Sequence, residues 1–129
     1  MQTVSLTLLF AGCCALLQCA LTALVILRRR QARVSFLDDG DKPLMRRIRA
    51  HGNFTETVPM ALLLLALLEL SGLGRMPLVI FGIALLVGRS LHAWSLLTNN
   101  ATWSRAGGMA ITLAVIGLEA ACALWLFFR

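Results

Sequence analysis

Four long apolar stretches separated by short polar joints organise the chain. From Val4 to Leu27 no residue carries a charge, and that run exceeds the about 20 apolar residues needed to cross a bilayer. Comparable stretches cover about 44–70, 76–97 and 106–128. The pattern predicts an all-α integral membrane four-helix bundle. It makes one domain of residues 1–129, with spans over about 4–27, 44–70, 76–97 and 106–128 and a basic loop over 28–43. The first stretch is too long for a signal-peptide core and no basic residues precede it, so it is expected to stay in the protein. Ser71-Gly72-Leu73-Gly74 with Pro77 predicts a tight turn between the second and third spans, and a joint from Thr98 to Ser104, through Asn99 and Asn100, leads to the fourth.

Composition agrees. Hydrophobic residues make up 59% of the chain and charged ones 14%, against about 45–50% and about 25% in water-soluble domains. The polar stretches are too short for a disordered tail. The net charge of +6 comes from twelve basic and six acidic residues, and eight of the twelve lie between Arg28 and Arg49. That concentration beside a span points to membrane topology and lipid headgroups, and no nucleic-acid partner is expected. Lys and Arg collect on the cytoplasmic side, which places the first loop there and both termini opposite. Arg75, in the joint between the second and third spans, opposes that orientation but is one charge against eight. Trp94, Trp103 and Trp125 are expected as interfacial anchors, Arg46 and Arg47 as headgroup contacts, and Glu69 and Glu119 as boundary residues.

The candidate chemistry lies where charge is costly. Arg46, Arg49, Asn53 and Glu56 are 3, 4 and 3 residues apart, which puts them on one stripe of a helix. Glu56 precedes the apolar run Met60 to Leu65, so its carboxylate must be paired or hydrated. Arg89 and His92 share a face of the third span, and Arg105 opens the fourth. These groups can gather at the cytoplasmic boundary around a small anion that also carries an amine: guanidinium forks take carboxylates, Glu56 takes an ammonium and Asn53 bridges. The same stripe also reads as an interhelical salt-bridge network holding an oligomer together, and His92 as an ordinary interhelical hydrogen bonder. Cys13, Cys14, Cys19 and Cys122 form no CxxC pair and have no histidine at ligand spacing; they read as small packing residues, with no metal site expected.

The run RIRAHGNFTETVP from Arg47 to Pro59 resembles the signature of the MAPEG family, the membrane-associated proteins in eicosanoid and glutathione metabolism. Arg49, Ala50, Asn53 and Glu56 carry its Arg-Ala-x-x-Asn-x-x-Glu core, and the length, the four spans and the basic first loop match as well. The resemblance implies a homotrimer in membrane lipids that binds glutathione between protomers and takes an apolar small-molecule substrate from the bilayer. Arg49, Asn53, Glu56 and Arg28 would bind glutathione, with Arg89 and His92 adjoining, and Arg105 would be catalytic by holding the sulfur as thiolate. The implied activity is transfer of glutathione to an apolar electrophile or reduction of a lipid hydroperoxide. The chain has no tyrosine; Thr57, His92 and Leu96 stand where the eicosanoid enzymes of the family place theirs, which points away from eicosanoid chemistry. Eleven Arg against one Lys suggests a GC-rich bacterial source and hence a bacterial inner membrane. The alternative expectation is a non-catalytic scaffold that binds lipid or serves as an accessory membrane subunit. A proton-coupled exporter is disfavoured, because the first span lacks a carboxylate.

Overall fold

A computed structural model describes residues 4–98 and 102–129. It contains α1 (Ser5–Ala32), α2 (Lys42–Leu70), α3 (Arg75–Thr98) and α4 (Thr102–Phe128), and no strand among the described residues. All four helices are long and apolar enough to cross a membrane.

Two helix boundaries differ from the hydropathy pattern. The apolar part of α1 ends at Leu27, but the helix continues through Arg28, Arg29 and Arg30 to Ala32, since arginine is a good helix former and leaving the apolar layer does not end a helix. The basic loop therefore shrinks to 33–41. Likewise α4 begins at Thr102, ahead of its apolar start at 106. Thr98 ends α3; the expected turn at Asn99 and Asn100 lies outside the described residues.

Local chemistry fixes the helix ends. Arg33 adopts a left-handed φ of 57° after α1, and Val34 N–H donates to Arg29 O at 3.1 Å. Asp41 caps α2 by accepting from Leu44 N–H at 2.7 Å, with Pro43 in the first turn. At the far end of α2, Gly72 takes φ +80°, Leu73 N–H reaches Leu68 O at 3.0 Å and Gly72 N–H reaches Glu69 O at 3.2 Å. This is the paired closure that a left-handed residue after a helix permits.

The bundle is centred on α2 and α3. Helix α1 packs on both, α4 packs on both, and the backbones of α1 and α4 do not approach each other closely. On α2 the inward seam runs Ala50, Phe54, Val58, Ala61, Leu65 and Leu68. Helix α3 is the most enclosed, burying positions on nearly every turn from Leu78 to Ser95. Leu16, Leu63, Ile80 and Leu118 are exposed on the bundle's outside, where acyl chains or neighbouring copies meet them without cost. With no hydrophobic drive between helices in lipid, association depends on close approach. A Cβ on Gly108 would stand 2.6 Å from Gly88 O and 2.7 Å from His92 N, so only glycine allows α4 to sit this near α3. Gly82 similarly leaves a notch on α3 that the Phe10 ring of α1 fills.

Candidate functional site

The polar residues of α2, α3 and the start of α4 meet at the end of the bundle that carries the α1–α2 loop. Glu56 lies fourteen residues before Leu70, about 21 Å along the helix. That depth falls within an apolar layer about 30 Å thick. Relative to Arg46, helix geometry places Asn53 about 20° round the axis, Arg49 about 60° and Glu56 about 80° in the same direction. The stripe straddles the edge of the buried face: Asn53 is half-buried and turned to α3, while Arg49 and Glu56 are exposed on the outside of the protomer.

Inside that edge a continuous hydrogen-bonded chain links three helices. His92 is buried, with Nδ1 3.0 Å from the backbone carbonyl of Arg105 and Nε2 3.1 Å from Asn53 Nδ2. The carbonyl can only accept, so a neutral imidazole places its proton on Nδ1 and takes the Asn53 amide N–H at Nε2. The backbone carbonyl of Asn53 accepts from Thr57 Oγ1 at 2.8 Å, and Thr57 Oγ1 accepts from Arg89 Nη1 at 3.0 Å. Pro59, inside α2, removes the N–H that would have bonded to Thr55 O.

Arg89 ends this chain and is its most demanding member. Its side chain is 0% exposed, and Nε and Nη2 have no hydrogen-bond partner. No carboxylate is within ion-pair distance of it among the described residues, where the ion pair is Arg28 with Asp41. A buried guanidinium with two idle donors invites an anionic or carbonyl guest.

The remaining sequence-derived candidates separate. Arg28 is held by Asp41 in a two-pronged pair, Nε to Oδ1 at 3.1 Å and Nη2 to Oδ2 at 2.7 Å. The Arg28 guanidinium, followed by the Leu44 amide, holds the Asp41 carboxyl below the ordinary carboxylate range. Arg105 contributes its backbone carbonyl to His92, while its side chain is exposed. Arg47, expected at headgroups, donates to Leu24 O at 2.9 Å and so ties α2 to α1. Asn53, Thr57, Arg89 and His92 are thus joined in one network; Arg49, Glu56 and the Arg105 side chain lie on the protomer's exterior, and Arg28 is already paired.

Two acids near the end of the bundle opposite the α1–α2 loop do more than mark the boundary. Glu69 accepts from Leu6 N–H at 2.8 Å, Thr7 N–H at 2.8 Å and Thr7 Oγ1 at 2.7 Å. It thereby caps α1 from the end of α2. Glu119 is 0% exposed, enclosed in the bundle rather than at its rim. It occupies a core position on the α4 seam, which its place near the chain end masked. Thr57 is the other residue whose part sequence reading missed; its spacing of four from Asn53 is the signal that identifies it. Among the described residues no group of three or more His, Cys, Asp or Glu could hold a metal ion.

Comparison with known proteins decides the family. The model of the MAPEG family matches residues 7–125. The chain belongs to the MAPEG family. It is also 34% identical over 117 residues to the inner membrane protein YecN of Escherichia coli K12, covering 91% of this chain and 88% of that relative. The protein of the same name in E. coli O6:H1 matches to the same extent. Four apolar helices and an inner membrane relative support an integral inner-membrane location.

Proposed function

We propose that this MAPEG protein is a glutathione-dependent membrane transferase or peroxidase whose site is completed between protomers of a homotrimer, with the α1–α2 loop on the cytoplasmic side. The observation that carries the reading is Arg89, buried with two donor nitrogens unengaged beside Asn53, Thr57 and His92. A tripeptide with two carboxylates and an ammonium supplies partners for that guanidinium, for Arg49 and for Glu56. The exposure of Arg49 and Glu56 on the outside of the single chain supports completion by a neighbour, since charges at that depth are not left to acyl chains.

In this reading Arg105 of one protomer stands near the glutathione sulfur bound by the next. A free thiol with pKa near about 8.5 is mostly protonated at neutral pH, and a guanidinium beside it favours the thiolate. Thiolate attack on an electrophilic carbon forms a C–S bond and expels the leaving group. With a lipid hydroperoxide, attack on the terminal oxygen breaks the O–O bond. The lipid leaves as alkoxide, takes a proton to become an alcohol, and the sulfenic acid is reduced by a second glutathione to disulfide and water.

The test is titration of glutathione into detergent-purified protein while following thiolate absorbance, with oligomer mass measured in parallel. Wild type should develop the signal, and Arg105→Ala should lose it while remaining the same oligomer. The Arg28–Asp41 pair favours a second reading, a non-catalytic lipid-binding scaffold, because it occupies a cation that glutathione would use. No binding at millimolar glutathione would select the scaffold.

A further inference from the structure

The inward seam of α4 runs through Gly108, Thr112, Val115 and Glu119, all buried, at steps of four, three and four that keep one face towards α2 and α3. The first three suit close helix packing, and Thr112 satisfies its hydroxyl on Gly108 O at 2.8 Å. Glu119 does not: it is 0% exposed and neither carboxyl oxygen has a hydrogen-bond partner. It is therefore not polar glue between helices, which would show a bonded partner.

No cation reaches it. Contact of Gly88 with Gly108 fixes the register of α3 against α4: Arg89 lies about 18 Å from Glu119 along the bundle axis, whereas Arg75 lies near its level, exposed and making no ion pair with it. Between Glu56 and Glu69 on α2, and between Arg75 and Arg89 on α3, the chain has no titratable residue. Both oxygens of Glu69 are engaged on the start of α1, whose backbone does not come close to α4. Along α4 the neighbouring titratable groups are Cys122, Arg129 just past the helix end with its guanidinium over the Trp125 ring, and Arg105, more than three turns away. A carboxylate shut away from water and cation is far more costly than the neutral acid. A proton neutralises the acid without needing any partner atom beside it, and none is present within hydrogen-bond reach.

We propose that Glu119 is a proton-binding site within the membrane. It carries a carboxylic-acid proton while α4 is packed, and loss of that proton to water requires α4 to part from α2 and α3 far enough to hydrate the carboxylate. The proton thus locks the α4 seam, independently of any glutathione chemistry at the other end of the bundle.

Two readouts on the full-length protein in vesicles test this. In infrared spectra at neutral pH, wild type should show the carbonyl band of a protonated carboxyl that Glu119→Gln lacks. The second readout is maleimide labelling of Cys122, half-buried one turn beyond Glu119, followed by peptide mass as pH is raised. Thiol ionisation common to both proteins cancels in the ratio of wild type to Glu119→Gln, and that ratio should rise several-fold once the proton leaves. Glu119→Leu, which keeps an apolar seam, provides the same comparison if the glutamine variant does not assemble. Absence of the band at neutral pH, or a labelling ratio that stays flat across the titration, would overturn the proposal.

Discussion

Asn53 on α2 and His92 on α3 meet with Asn53 Nδ2 3.1 Å from His92 Nε2, and the other ring nitrogen is fixed on the Arg105 carbonyl. One imidazole therefore sets the spacing of three helices at the end of the bundle where the candidate site lies. Asn53→Leu would leave Nε2 buried without a donor, at a cost of about 1–3 kcal/mol. Thermal unfolding in detergent should show that loss with helix content unchanged, and Asn53→Gln should not rescue it fully, because its longer arm displaces the amide.

Arg89 combines full burial with two idle donors, an arrangement that favours a ligand over stability. Arg89→Met should leave stability unchanged or raise it by about 1 kcal/mol or more, as hydrophobic replacement of buried charge often does. The same variant should lose glutathione binding. A variant both less stable and still able to bind would show that Arg89 is a structural residue.

Acidification should act through Asp41. Its carboxyl is held below the ordinary range by Arg28 and the Leu44 amide, so the folded state favours the ionised form more than the unfolded state does. The stabilisation is present above the unfolded value of about 3.9 and is lost as pH falls through the lower folded value. Melting curves of wild type and Asp41→Asn should stay separated by a constant interval at neutral pH and converge in acid.

Close helix approach predicts a steric penalty at Gly108. Its Cβ would meet Gly88 O at 2.6 Å, a backbone atom that cannot rotate away. Gly108→Ala should cost about 1–3 kcal/mol and weaken the α3–α4 contact. At Gly82 the obstacle is the Phe10 ring, so the loss from Gly82→Ala should be partly recovered in a Phe10→Leu background. Unfolding of the single and double variants measures that coupling.

The sequence made the helices legible because each buried or lipid-facing run must be long and uncharged to cross a bilayer. Their ends were less so: Arg28 to Ala32 stay helical beyond the apolar layer, which hydropathy cannot register. The polar stripe on α2 is visible by spacing and His92 reads as an interhelical hydrogen bonder, but that its partner is Asn53 emerges only from the packing of α2 on α3. Spacing could not reveal that Arg28 is taken by Asp41, a contact made by the path of a nine-residue loop. Nor could it place Glu119 inside the seam, since an acid near a chain end has the same local pattern whether it faces water or a neighbouring helix.

The backbones of helices α1 and α4 do not come close to each other within a protomer. Any strain set up where α4 begins must reach the amino-terminal helix by way of α2 and α3, or through a neighbouring copy that bridges the outer flanks. Each peripheral helix is thus anchored separately on the central pair, α1 by Glu69 and Arg47 of α2 and α4 by His92 and the Gly88–Gly108 contact with α3.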